Sequence, residues 1–164
     1  MKRIRYLSIG SISVGTTVST DILHNAAWEL EQCCKRNKGV RKIDLRSKKA
    51  LALKAFKFVE TFNDEDLEDE SEADDLLEEL KEALEAFAPP HCYVGFAEWD
   101  GACFGCFVSH EGIEVAVRDG EITKIDDWDE ADGPGQYLLV NDHGNMSLYT
   151  RFANHKTREE WSTV

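Results

Sequence analysis

The chain has 164 residues, 42% of them hydrophobic and 10% aromatic, enough apolar material to argue for one domain over 1–164 and against a disordered chain. Its 19 Lys/Arg face 32 Asp/Glu, a formal net charge of −13, and no apolar run approaches the roughly 18 residues of a membrane span. Residues 1–60 hold 13 Lys/Arg against 5 Asp/Glu, and residues 61–164 hold 6 against 27. The acidic part repels nucleic acid and membrane surfaces at long range and attracts basic protein grooves.

In chain order, residues 5–9 alternate loosely and read as a short strand, and the Gly- and Ser-rich stretch 10–17 as a loop. Ser19 or Thr20 is a candidate cap for a first helix, with Ile22, Leu23, Ala26, Ala27, Leu30, Cys33 and Cys34 on one face. Ser47 is a candidate cap for a second, lined by Leu51, Ala55, Phe58, Val59 and Phe62. Nine of the twelve residues 64–75 are Asp or Glu, which predicts an exposed acidic linker at about 63–75. A third helix, about 71–87, carries the stripe Leu76, Leu77, Leu80, Ala83, Leu84 and Phe87 and ends at Pro89-Pro90.

Beyond Pro90 the period shortens to that of strands. Residues 92–96 and 103–109 are candidates, as are 113–117 and 121–125 around Asp119-Gly120, a hairpin signal. Residues 136–140 and 146–150 flank a second turn, Asn141-Asp142-His143-Gly144-Asn145, and 160–164 form a short edge strand. The expected fold is α+β: an antiparallel sheet of five or six strands with about three helices on one face.

Four constellations bear on function. Cys103-x-x-Cys106, near Cys92, His91 and His110, has zinc-like spacing. In a strand, however, side chains three apart point to opposite faces, and no second pair exists, so no metal or other cofactor is expected. A thiol from Cys92, Cys103 or Cys106 with His143 and Asp142 would make a nucleophilic site if the fold joined them; a turn equally explains Asp142-His143-Gly144. The loop 10–17 lacks the Lys-Ser or Lys-Thr of a Walker loop. The fourth is the acidic surface. Asp64, Asp66, Glu68, Asp69 and Glu72 lead into Glu78, Glu82 and Glu85, which recur at helical spacing opposite the leucines. Trp128 sits in a second acidic cluster, among Asp126, Asp127, Asp129, Glu130 and Asp132. An aromatic among carboxylates suits a partner anchor, and the cluster does not fit EF-hand spacing.

The five cysteines, Cys33, Cys34, Cys92, Cys103 and Cys106, are odd in number. No long apolar run follows the charged start Met1-Lys2-Arg3-Ile4-Arg5. Together these features predict reduced thiols in a cytoplasmic protein without a secretory leader.

Two stretches carry a resemblance: Tyr6-Leu7-Ser8-Ile9-Gly10-Ser11-Ile12-Ser13-Val14-Gly15-Thr16 and Leu138-Leu139-Val140-Asn141-Asp142-His143-Gly144-Asn145-Met146-Ser147-Leu148-Tyr149. Cys92-Tyr93-Val94-Gly95-Phe96 with Asp100-Gly101-Ala102 adds a third. They resemble segments of a group of small proteins encoded by phages, prophages and plasmids. The resemblance implies a mobile-element context, in the cytoplasm of a bacterial host, where proteins of this size often act against host defence. Inhibitors of CRISPR nucleases are frequently acidic because their targets present basic grooves.

The sequence therefore predicts a non-enzymatic inhibitor that binds a host nucleic-acid-handling defence protein, such as a CRISPR effector, through Asp64–Glu85 and Trp128. The alternative is a small cysteine- or metal-dependent enzyme centred on Cys92, Cys103, Cys106 and His143. Direct nucleic-acid binding by the basic segment 35–57 is not expected, since Phe56, Phe58 and Phe62 belong to a helix core.

Overall fold

The computed structural model describes residues 3–40, 43–62 and 67–163. Its elements, in order, are β1 (Gly10–Val14), α1 (Ser19–Arg36), α2 (Leu45–Thr61), α3 (Leu67–Glu85), β2 (Cys92–Ala97), β3 (Asp100–Val108), α4 (His110–Arg118), β4 (Ile122–Ile125), a 3-10 turn (Trp128–Glu130), β5 (Gly135–Val140), β6 (Met146–Arg151) and β7 (Thr157–Ser162). The class is α+β. Among the described residues the strands form two sheets, of three and four strands, rather than one of five or six, and there are four α-helices rather than three. The chain packs as two units. One takes in residues up to Ala88 together with Tyr93–Phe107; the other takes in Pro89–Cys92 and everything from Val108 on.

In the first unit, α1 packs against both α2 and α3. All seven apolar residues read onto its inner face are buried. No side chain caps α1: Val18 occupies the N-cap, not Ser19 or Thr20. Thr16 Oγ1 takes up the Val18 amide and donates to Asp21, which favours the positive helix end. At the other end Asn37 is buried, with its amide on the Cys33 and Arg5 carbonyls and its Oδ1 on the Arg5 amide. Those bonds hold residues 5–9 in an irregular path where a strand was expected; the Leu7 amide continues it onto the Phe87 carbonyl.

The strand begins five residues later than expected, within the predicted loop. β1 runs antiparallel to β3 in a sheet ordered β1-β3-β2, with a bulge at Ile12. Its reason is a glycine. A Cβ on Gly105 would lie 2.3 Å from the Gly10 carbonyl oxygen and 2.8 Å from Ser11 Cα, so only glycine lets the two backbones approach.

α2 is capped by Asp44, whose carboxylate accepts the Arg46 and Ser47 amides; Ser47 is its third residue rather than its cap. α3 begins at Leu67, four residues before the expected start, so residues 67–75 of the predicted linker are helical. Residues 63–66, with Asp64 and Asp66, lie outside the described residues.

In the second unit, β4 pairs parallel with β5, and β5, β6 and β7 continue antiparallel. The Asn141–Asn145 turn joins β5 and β6 as predicted, with Gly144 at φ 80°. The Asp119-Gly120 turn is not a hairpin. Residues 110–118 form α4, capped by Ser109 Oγ on the Gly112 amide. Gly120, at φ 77°, ends it: its amide bonds the Val117 carbonyl, and the Glu121 amide bonds Ala116. That pair of bonds is a Schellman motif, which requires the same positive φ as a hairpin turn.

Candidate partner-binding surface

α3 owes its existence to its inner face. Ala73, Leu76, Leu77, Leu80, Ala83 and Leu84 are all buried, Leu76, Leu80 and Leu84 completely, as is Phe87 in the turn that follows the helix. At about 100° per residue, they occupy one arc of the helix. The opposite arc is carboxylate. Glu70, Glu72, Asp74, Asp75, Glu78, Glu79, Glu82 and Glu85 are exposed, and Lys81 is the helix's sole cation. Glu68 and Asp69 fall in its first turn.

This arrangement works against the helix's own stability. Glu78 and Glu82, or Asp74 and Glu78, are like charges at i,i+4, each pair costing about 0.2–0.5 kcal/mol. Glu82 and Glu85 stand in the last turn, where the helix end is already negative and no basic residue of its own turn answers them. The cation comes from elsewhere. Lys48 of α2 donates to the Ala83 carbonyl at 2.9 Å, with its ammonium 5.8 Å from the Phe87 ring. Burial pulls the Lys48 ammonium below the ordinary lysine value.

Three of the carboxylates have local partners. Glu78 meets Lys81 at 2.9 Å, Glu79 meets Lys54 at 3.5 Å, and Asp74 accepts from Ser19 Oγ at 3.0 Å. These are surface contacts, each worth at most about 1 kcal/mol. The Glu78 hydrogen bond, with the field of Glu78, Glu85 and Glu82, holds the Lys81 ammonium above its ordinary value. Among the described residues, Glu72, Asp75, Glu82 and Glu85 have no ion pair within 4.0 Å.

Trp128 belongs to the other unit. It is 38% exposed, packed on Tyr149 with ring centres 5.0 Å apart and edge-on to Tyr137 at 6.1 Å. Two of the carboxylates around it serve the backbone. Asp127 accepts the Asp129 amide and Glu130 accepts the Asp127 amide, a capping box.

The cysteines are all thiols, none in a disulfide. Cys103 and Cys106 are buried on β3, Cys103 Sγ lies 2.9 Å from Ser11 Oγ, and Cys92 is half-buried. Burial pushes the Cys33 thiol up to about 12. His143 is exposed on the β5–β6 turn, where the Asn141 side chain accepts its amide. Among the described residues no three of His, Cys, Asp and Glu are grouped to hold a metal ion, and no helix is long and apolar enough to cross a membrane.

Sequence reasoning found the carboxylate face because helical periodicity is visible in the chain. It missed two cavities beside β1, one where β1 and α1 meet Val59 and Phe62, the other between residues 7–12 and α1. The larger, about 550 Å³, includes Ser13, Asp21, Asn25 and Phe62; the smaller, about 450 Å³, includes Ile9, Trp28 and Glu29. No protein-family model, no curated protein and no solved structure matches this chain.

Proposed function

We propose that the protein is a mobile-element inhibitor that docks the carboxylate face of α3 on the basic groove of a host nucleic-acid-handling defence protein, such as a CRISPR effector. One observation carries the reading. Glu72, Asp75, Glu82 and Glu85 stand exposed and, among the described residues, without ion pairs, on a helix fixed from behind by leucines. Folding does not call for them there, and two of them oppose the helix dipole. A rigid row of negative charge presents to a cationic groove what a nucleic-acid backbone presents, and it steers association. Trp128 supplies a second contact. The resemblance to phage, prophage and plasmid proteins supports the choice of partner.

The test is capture from a bacterial host lysate, identification by mass spectrometry, and titration of the captured protein at low and high salt. Glu78→Lys, Glu82→Lys and Glu85→Lys together should weaken binding at least tenfold while circular dichroism stays unchanged. Added salt should weaken the wild type as well. A folded triple variant that binds as tightly as wild type overturns the reading. Loss of binding on Trp128→Ala alone would move the interface to the second unit.

A further inference from the structure

Among the described residues β1 is an edge strand: its sheet is ordered β1-β3-β2, so one of its sides has no described strand beside it. Edge strands invite pairing with another chain, and proteins that do not use them cover or charge them. β1 carries no charge, being Gly-Ser-Ile-Ser-Val, and Val14 at its end is 66% exposed.

The two cavities lie along this strand. Both include Ile12 and Asn25, so they adjoin, and both are walled by β1 on one side and α1 on the other. A groove between an edge strand and a helix suits an extended peptide. The strand's backbone supplies hydrogen bonds, and pockets take alternate side chains. Residues i and i+2 of a docked strand project to one face about 7 Å apart, as two adjoining cavities require.

The linings say which side chains fit. The first cavity combines Asp21, which accepts from Thr16 Oγ1, with His24 and with Asn25, which donates to Ser13 Oγ, and has apolar walls at Val59 and Phe62. The Asp21 carboxylate suits an ammonium or guanidinium, and the apolar walls suit its alkyl stem. In the second, Glu29 is paired with Arg36, and Ile9, Ile12 and the half-exposed Trp28 offer an apolar side chain contact beside the polar Ser8, Ser11 and Asn25.

We infer that the groove between β1 and α1 binds an extended peptide strand bearing a basic residue and an apolar residue two positions apart, paired to the open edge of β1. This inference does not rest on the α3 reading, which uses a different helix.

The probe is a pair of fluorescein-labelled, amidated peptides, Ser-Thr-Lys-Thr-Leu-Thr-Ser and Ser-Thr-Leu-Thr-Lys-Thr-Ser, which cover both strand directions. Each is titrated with the full chain at about 0.15 M salt, where long-range charge effects are screened. One of the two should bind saturably. Norleucine in place of its lysine should weaken binding about tenfold, and Asp21→Asn should weaken the lysine peptide equally while leaving the norleucine peptide unchanged. N-methylation of one alternate set of peptide amides should cost at least tenfold, and of the other set little, because only one set faces β1. The folded α3 variant with Glu78, Glu82 and Glu85 changed to lysine should bind the peptide as wild type does.

The inference is overturned if neither peptide binds at millimolar concentration, if Asp21→Asn leaves the lysine peptide's affinity unchanged, or if both methylated sets bind alike. Sedimentation showing a dimer that the peptide cannot enter would assign the edge to a second copy of the chain and overturn it equally.

Discussion

Two regions of this protein share a composition and differ in what their carboxylates do. In residues 126–132, two of the five acidic side chains are tied into the backbone: Asp127 and Glu130 form a reciprocal capping box. Removing such a group leaves an amide without its partner, so the fold itself explains it. Among the described side chains of α3, Glu70 to Glu85, no carboxylate is bonded to an amide of its own helix. Glu82 and Glu85 sit at its negative end, and the helix is held by leucines on the other side. The difference separates acid that builds structure from acid that structure merely carries, and the proposed partner is assigned to the second kind.

The largest effect should come from behind the carboxylate face. Leu80 is fully buried, so Leu80→Ala should cost about 3 kcal/mol by urea denaturation. A loss below about 1 kcal/mol would mean that α3 is held by something other than its leucine stripe, and the contrast would fail. Gly120→Val should cost about 1–2 kcal/mol, since valine is strained at positive φ; an unchanged thermal melt would remove the Schellman motif from the account. Asp127→Ala should cost about 1 kcal/mol as a lost cap. If it proves neutral, the acids of residues 126–132 are as dispensable to folding as those of α3, and the contrast disappears.

Cysteine offers a pH test with a definite sign. The Cys33 thiol is raised from 9.0 to about 12 by burial. The folded state therefore keeps a proton that the unfolded state loses. The contribution of Cys33 is complete below pH 9 and declines as pH rises towards 12. Cys33→Ala should flatten that part of the stability–pH curve, measured by urea denaturation at stepped pH. A curve as steep as wild type would place the alkaline loss on other groups.

Much of this architecture is legible in the sequence, where period and burial agree. The buried set of α1 is the set its spacing implies, and Pro89-Pro90 ends the third helical region as expected. Legibility fails where a segment is short or where its state is set at long range. Ile113, Val115 and Val117 alternate like a strand, yet Ile113 and Ala116 are the buried pair of α4, and nine residues satisfy both periods. The Ser109 cap was the signal that decides it. β1 has too few apolar residues to announce a strand; Gly105, more than ninety positions away, makes it one. The carboxylate face could be read because it depends on one helix. The groove beside β1 could not, because its walls come from separate elements.

The central claim is that the α3 carboxylates are not there for folding, and the thermal melt of Glu82→Gln with Glu85→Gln tests it without any partner. These side chains make no ion pair among the described residues and face the negative helix end. At low ionic strength the double variant should be as stable as wild type or more so, by about 0.3–1 kcal/mol, with the gain shrinking as salt is added. A variant that melts several degrees below wild type would contradict the account, since Glu82 and Glu85 would then be structural residues like Asp127 and Glu130.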